Sequence, residues 1–149
     1  MLIFIGSDHR GFRLKEILKQ FLAREGYEVV DKGNAVYDEK DDYPDFAKEV
    51  AGGVNADPGL RRGILICGSG VGVDVVANRF PRVRSGLAIS SDQVFAARHD
   101  DDINVLSLAA DFTMEDDAQK IVKTFLKTPF SDEERHKRRV QKISQIVGE

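Results

Sequence analysis

An α/β fold, with a parallel sheet of about five strands covered by helices on both faces, is what this sequence predicts. Three observations carry that prediction. Short apolar runs such as Leu2-Ile3-Phe4-Ile5 and Ile64-Leu65-Ile66 have the length and composition of strands buried on both sides. Segments with the i, i+3, i+4 apolar spacing of amphipathic helices lie between such runs. The connections are short, so strands and helices alternate in one layered unit.

Leu2–Ile5 reads as the first strand, ending at Gly6-Ser7-Asp8-His9. Leu14, Ile17, Leu18, Phe21 and Leu22 mark a helix that Gly26 stops. Tyr27–Val30 is a second strand, and the acidic segment 31–42 an exposed loop. Tyr43-Pro44-Asp45 opens a helix whose apolar residues are Phe46, Val50 and Val54. The Ile64–Ile66 strand leads through a glycine-rich turn into a Val/Ala-rich helix expected to run up to Pro81. Ser85–Ile89 is a fourth strand, 92–99 a short helix and Asn104–Leu108 a fifth strand. Ala118, Ile121, Val122, Phe125 and Leu126 define another helix, broken by Thr128-Pro129-Phe130. Ser131 with Glu134 has the spacing of a capping box. The final helix that follows is strongly basic: Arg135, His136, Lys137, Arg138, Arg139 and Lys142.

The 149 residues suit one domain spanning 1–149, with a sizeable core. A hydrophobic fraction of 42%, a charged fraction of 32% and a net charge of −3 give no general reason to bind nucleic acid or an anionic membrane. A single cysteine excludes an intrachain disulfide and suits a reducing cytoplasm. No apolar run approaches the ~20 residues of a membrane span, and the N-terminus lacks the pattern of a signal peptide.

The chemistry concentrates in Cys67-Gly68-Ser69-Gly70-Val71-Gly72. A strand feeding a glycine turn and a helix lines up backbone N–H groups with the positive end of a helix dipole, which favours an anion. Cys67 stands at the lip of that turn, where a helix start favours the thiolate. Other glycine motifs fit poorly. There is no Gly-Lys-Ser/Thr of a P-loop. The third glycine of a dinucleotide fingerprint comes one residue early, at Gly72. The Arg that a Cys-dependent phosphatase needs six residues after its Cys is Val73 here. In a parallel sheet, ligands bind at the carboxyl ends of strands near a switch in strand order. Asp8-His9 and Cys67-Gly68-Ser69 both stand at such ends. They can therefore form one anion-accommodating site with a carboxylate, an imidazole, a thiol and a hydroxyl.

With these residues placed, the chain resembles the ribose-5-phosphate isomerase B family, which includes the galactose-6-phosphate isomerase subunits. The matching residues run nearly end to end: Gly6–His9 with Gly11-Phe12; Asp31-Lys32-Gly33; Asp42–Ala47; Gly63–Gly70 with Gly72; Ala77-Asn78-Arg79; Asn104–Leu106; Thr128-Pro129-Phe130; and Arg135-His136 with Arg139-Val140. The resemblance implies a Rossmann-like three-layer sandwich and a homodimer, or dimer of dimers, with active sites at the subunit interface. It also implies isomerisation of an aldose phosphate to a ketose phosphate without cofactor or metal.

On that resemblance Cys67 matches the proton-shuttling thiol, and Ser69 the Thr or Ser beside it. The N–H groups from Gly68 through Gly70, Val71 and Gly72 would hold the enediolate oxygen. Asp8 would hold sugar hydroxyls, Tyr43 would line the pocket, and His9, Arg135 and Arg139 would bind phosphate. On residue type alone Asp8 equally suits a helix cap, His9 a surface position and the arginines a solvated helix face.

Four positions depart from the family. Asp100 and Asp101 stand where the family has a His assigned to ring opening and an Asn at the substrate's reacting end, with His99 one place early. Asp100 is accordingly the candidate second catalytic group and Asp101 a substrate contact. Asp74 replaces a small residue, and Asp111 replaces an Arg that binds phosphate. A like charge ~6 Å from a phosphate, at an effective dielectric of ~20, costs on the order of 3 kcal/mol per unit charge. The expectation is weak phosphate binding that improves on Asp111→Arg. The alternatives are a relative acting on a hexose phosphate or an unphosphorylated sugar, or a binding subunit without catalysis.

Overall fold

A computed structural model describes residues 1–146. Five strands, β1 (Leu2–Ser7), β2 (Glu28–Asp31), β3 (Arg61–Cys67), β4 (Ser85–Leu87) and β5 (Val105–Ala109), form one sheet in the order β2-β1-β3-β5-β4. Every pairing is parallel. The helices are α1 (Phe12–Arg24), α2 (Tyr43–Ala56), α3 (Val71–Ala77), α4 (Ser91–Asp101), α5 (Glu115–Lys127) and α6 (Glu134–Ile146), with a 3-10 turn at His9–Gly11.

The two-residue period of the strands decides what each face packs against. Ile3, Ile5, Ile64, Ile66, Leu106 and Leu108 point to the face covered by Leu14, Leu18 and Leu22 of α1, Val94 of α4, and Ile121, Val122 and Phe125 of α5. Phe4, Leu65, Cys67 and Val105 point to the other, against Ala47, Val50, Ala51 and Val54 of α2 and Val73 and Ala77 of α3. Local signals agree with this packing. Glu115, Asp116 and Asp117 occupy the first turn of α5, where carboxylates face the positive end of the dipole. Ser90 caps α4 by accepting from the Gln93 N–H at 3.2 Å. Gly26, at φ +83°, closes α1 as expected.

The strand order reverses between β1 and β3, the two central neighbours. Their carboxyl ends carry Ser7-Asp8 and Cys67-Gly68, so the crevice at the switch point receives both candidate motifs.

Four expectations need correction. The fourth strand stops at Leu87, and Ile89 is exposed. Helix α3 ends at Ala77 instead of running to Pro81, because the Asn78 side chain donates to Asp74 O and Ser85 O and accepts from Ser85 N. Ser131 does not form a capping box: its hydroxyl lies 2.6 Å from His136 Nδ1 and accepts from Glu133 N at 3.3 Å, and α6 begins beyond it. The acidic loop is exposed at 35–40 but anchored at both ends. Asp31 receives the buried Lys15 ammonium at 2.7 Å, and the Asp41 side chain turns inward to His9.

Candidate active site

The turn after β3 is built by three glycines with different reasons. Gly70 has φ +74°, a left-handed conformation, and a Cβ there would lie 2.5 Å from Leu87 Cδ1 and 2.9 Å from the Leu108 carbonyl carbon. A Cβ at Gly72 would come within 2.7 Å of the Tyr43 ring, and one at Gly68 within 2.6 Å of Arg10 Nε. The first and third glycines therefore let side chains from α2 and from the 3-10 turn close over the loop. Folded this way, the loop aims the Gly70 N–H at Cys67 Sγ, 3.2 Å away. That amide is a hydrogen-bond donor to the sulfur, while α3, at seven residues, is short for a strong macrodipole. Val71 N donates to Ser69 Oγ at 3.3 Å, which holds that hydroxyl beside the turn.

Asp8 extends from the end of β1 and caps the 3-10 turn, with Oδ1 accepting from Gly11 N at 3.1 Å. The capping and site readings of Asp8 thus both hold, because the same residue faces a cavity. Burial pushes its carboxyl above the ordinary 3.8, the Gly11 hydrogen bond opposing that shift. His9 is anchored twice to Asp41 Oδ1, through its backbone N–H at 2.9 Å and its Nδ1 at 2.8 Å. The hydrogen bond to Asp41 holds the imidazole above its ordinary pKa of 6.5.

A cavity of about 510 Å³ gathers Asp8, Tyr43, Cys67, Gly68, Ser69, Val71 and Gly72, together with Arg10, Asp111 and Phe112. Seven of the expected site residues therefore meet, and Gly70, outside the lining, reaches them through its N–H to Cys67 Sγ. Sequence reasoning misses Arg10, Phe112 and Asp41. Arg10 and Asp41 act through partners far away in sequence, Asp111 and His9, so no local pattern marks them, and Phe112 is an exposed aromatic with no motif around it. Asp111, expected to weaken phosphate binding, does line the cavity, but it is not a lone negative charge there. Its carboxylate is ion-paired with Arg10 Nη2, and its amide donates to Gly68 O at 3.1 Å. Asp74, unlike Asp111, does not line this cavity. It accepts from Ser85 Oγ at 2.6 Å, and Ser85 Oγ lies 3.0 Å from Ser107 Oγ. Burial raises the Asp74 carboxyl above its ordinary pKa.

Of the remaining candidates, His9 follows Asp8 but does not line the cavity, and the other four gather elsewhere. Asp100 and Asp101 lie in the last turn of α4, and Arg135 and Arg139 on exposed positions of α6. None of the four lines the Cys67 cavity of its own chain. Asp100 Oδ1 is 2.7 Å from His99 Nδ1 and 3.7 Å from His136 Nδ1. The hydrogen bond from His99 holds the Asp100 carboxyl below the ordinary range, which suits a hydrogen-bond acceptor better than a general acid. Arg135 Nε donates to Glu133 at 2.8 Å. His136 is buried, so the basic stretch of α6 is not one uniform solvated face. Among the described residues, His99, Asp100 and His136 are the grouping whose donor atoms, within 4.8 Å of one another, could share a cation. No described helix is long and apolar enough to cross a membrane.

Comparison with known proteins places this geometry. The chain is 44% identical over 141 residues to a probable ribose-5-phosphate isomerase B of Mycoplasma genitalium, covering 95% of this chain and 92% of that protein. It is 36% identical over 144 residues to the ribose-5-phosphate isomerase B of Escherichia coli, covering 97% and 95%. The crystal structure of the Mycoplasma genitalium enzyme with bound ribulose-5-phosphate superposes with a TM-score of 0.96 at 42% identity, covering 99% of this chain and 97% of that one. Ribose-5-phosphate isomerase B of Clostridium thermocellum gives 0.93 at 41% identity, covering 98% and 97%. The family model described as Ribose/Galactose Isomerase matches residues 3–143, nearly all of the described sheet and helices. The chain belongs to the Ribose/Galactose Isomerase family.

Proposed function

We propose that this chain is an aldose–ketose isomerase that interconverts ribose 5-phosphate and ribulose 5-phosphate, with Cys67 as the proton-moving group. The observation that carries the reading is the Cys67 thiol at the switch-point crevice, with the Gly70 N–H aimed at its sulfur and Asp8 in the same cavity. In the forward direction the thiolate takes the proton from C2. The C–H electron pair becomes the C1–C2 double bond, and the carbonyl pair moves onto O1. N–H groups of the 68–72 turn hold that oxyanion; one such donor is worth about 3–4 kcal/mol in comparable sites. A proton passes from O2 to O1 and the thiol delivers its proton to C1, which leaves the ketose and the thiolate. Asp8, whose carboxyl burial holds above the ordinary range, hydrogen-bonds sugar oxygens, and Ser69 flanks the thiol. Tyr43 closes one wall, and His9, charged more readily beside Asp41, faces the phosphate end.

Arg135, Arg139, Asp100 and Asp101 serve the cavity of a second copy in a homodimer. Support for this comes from their absence from the lining of their own cavity, and from Phe112, which lines the cavity and is 78% exposed. A reducing cytoplasm suits the free thiol. The assay is direct: the purified chain with ribose 5-phosphate, followed by the appearance of ribulose 5-phosphate. Steady conversion is expected. Binding of the sugar phosphate without conversion would favour the second reading, a binding subunit, to which the carboxylates at 100 and 101 lend support.

A further inference from the structure

Arg10 is the one cationic side chain among the residues that line the Cys67 cavity, where Asp8 and Asp111 are acids. A phosphate brings between one and two negative charges at neutral pH. Among the residues that line this cavity it would otherwise face two carboxylates and no cation, His9 lying outside the lining. The arginine is held in a defined place. Nη2 donates to the Asp111 carboxylate, and the Asp111 amide donates to Gly68 O at 3.1 Å. The guanidinium crosses Gly68 so closely that a Cβ there would lie 2.6 Å from Nε and 2.7 Å from Cζ. Any side chain at 68 would therefore displace it. Among the described residues only Nη2 is engaged, which leaves Nη1 and Nε without a hydrogen-bond partner. More than half of the side chain remains accessible to solvent.

We propose that Arg10 is a further phosphate-recognising residue, contributed by this chain to the lining of its own cavity, and that Asp111 is its positioning partner, not a charge opposed to the substrate. The proposal rests on the sugar-phosphate reading given above. A guanidinium presents two parallel N–H groups to two phosphate oxygens, and an acid on its far side fixes the fork without occupying all five donors. The reacting end of the sugar has its own donors in the N–H groups of the turn, so the side chain is free for the other end. The carboxylate at 111 then has a physical reason to be there: it replaces the phosphate contact expected at its own position by holding one from position 10.

The test is the KM for ribose 5-phosphate and the inhibition constant of inorganic phosphate, measured for the parent, Arg10→Ala, Arg10→Lys and Asp111→Asn, with circular dichroism on each. Arg10→Ala should raise both constants about 10–100-fold, as expected for lost charge-assisted hydrogen bonds, while kcat stays within a few-fold. Arg10→Lys should recover part of the loss, since it keeps the charge without the fork. Asp111→Asn should raise both constants by a smaller factor, through a loosened guanidinium. A fall in kcat with KM and the phosphate constant unchanged would place Arg10 at the reacting end and overturn the proposal. So would no change in any constant. If Arg10→Ala does not fold, Arg10→Gln reads the same two constants. If the parent gives no turnover, the isomerase reading fails separately. Calorimetric binding of inorganic phosphate and of ribose 5-phosphate to parent and variant then decides, weaker binding by the variant supporting the proposal and equal binding contradicting it.

Discussion

Asp41 receives both the backbone N–H and the Nδ1 of His9, a residue 32 positions earlier in the chain. That hydrogen bond, reinforced by the nearby Asp8 charge and opposed by partial burial and Arg10, raises the imidazole pKa in the folded state. The linkage has a definite sign. A histidine whose folded pKa is raised contributes stability that is present in full below its ordinary 6.5 and is lost as pH climbs through the folded value. Thermal melts of the parent and Asp41→Asn should therefore differ more at pH 6 than at pH 9. An equal difference at both pH values would mean that Asp41 stabilises the loop without sensing the imidazole's charge. The same scale explains what could be read from the sequence. Cys67, Ser69 and the three glycines were legible because their chemistry is complete within six consecutive residues. The pairs His9–Asp41 and Arg10–Asp111 were not, because each needs two loops brought together by the sheet.

At the level of elements, the turn between β3 and α3 concentrates the constraints. Gly70→Ala forces a Cβ into a left-handed conformation and onto Leu87 and the Leu108 backbone. Gly26 offers the comparison, with φ +83° and no neighbouring atom within 4 Å of where a Cβ would stand. Gly26→Ala should cost only the conformational strain, about 1 kcal/mol. Gly70→Ala adds overpacking of about 1–3 kcal/mol, and each kcal/mol lowers Tm by about 2–4 °C in a chain of this size. Gly70→Ala should also lose activity, because the Gly70 N–H no longer points at the sulfur. Melting temperatures that fall equally would show that Leu87 moves aside freely. The apolar periods made the buried faces of α1 and α5 readable in advance, whereas in α2 Val50 and Val54 are buried as expected but Phe46 is only half-buried and Ala47 and Ala51 complete the face. The limits of α3 and β4 were not readable, since Asn78 ends the helix through hydrogen bonds to Ser85, seven residues on, and no periodicity records that. Pro81 was the nearer sequence signal and lay beyond the true end.

For the whole molecule, the sheet order brings the Asp8 and Cys67 ends together but leaves Arg135 and Arg139 outside the cavity. The parallel fold was predictable from alternating apolar runs. Residue spacing alone carries no record of which copy a side chain serves; a site at a subunit interface is implied only by the family resemblance. The proposed sharing of sites between two copies gives a quantitative prediction. Cys67→Ala and Arg135→Ala should each be nearly inactive alone. In a random mixture, half of the two-fold dimers are mixed and each carries one intact site, so about a quarter of the parent activity should return. The mixture must be unfolded and refolded together, and the activity compared with that of equally treated parent. No recovery, with mixed dimers demonstrated, would assign all contributing residues to one chain.

The claim on which the rest depends is that Cys67 moves a carbon-bound proton. Isomerisation in deuterium oxide tests it most directly, with the ketose product analysed for label by NMR. The parent should produce ribulose 5-phosphate carrying deuterium at C1, through a thiol that exchanges with solvent. Cys67→Ala, folded by circular dichroism, should lose both conversion and label incorporation by about 10²–10⁴-fold. Conversion and labelling by Cys67→Ala within a few-fold of the parent would contradict the account and assign the proton to another group.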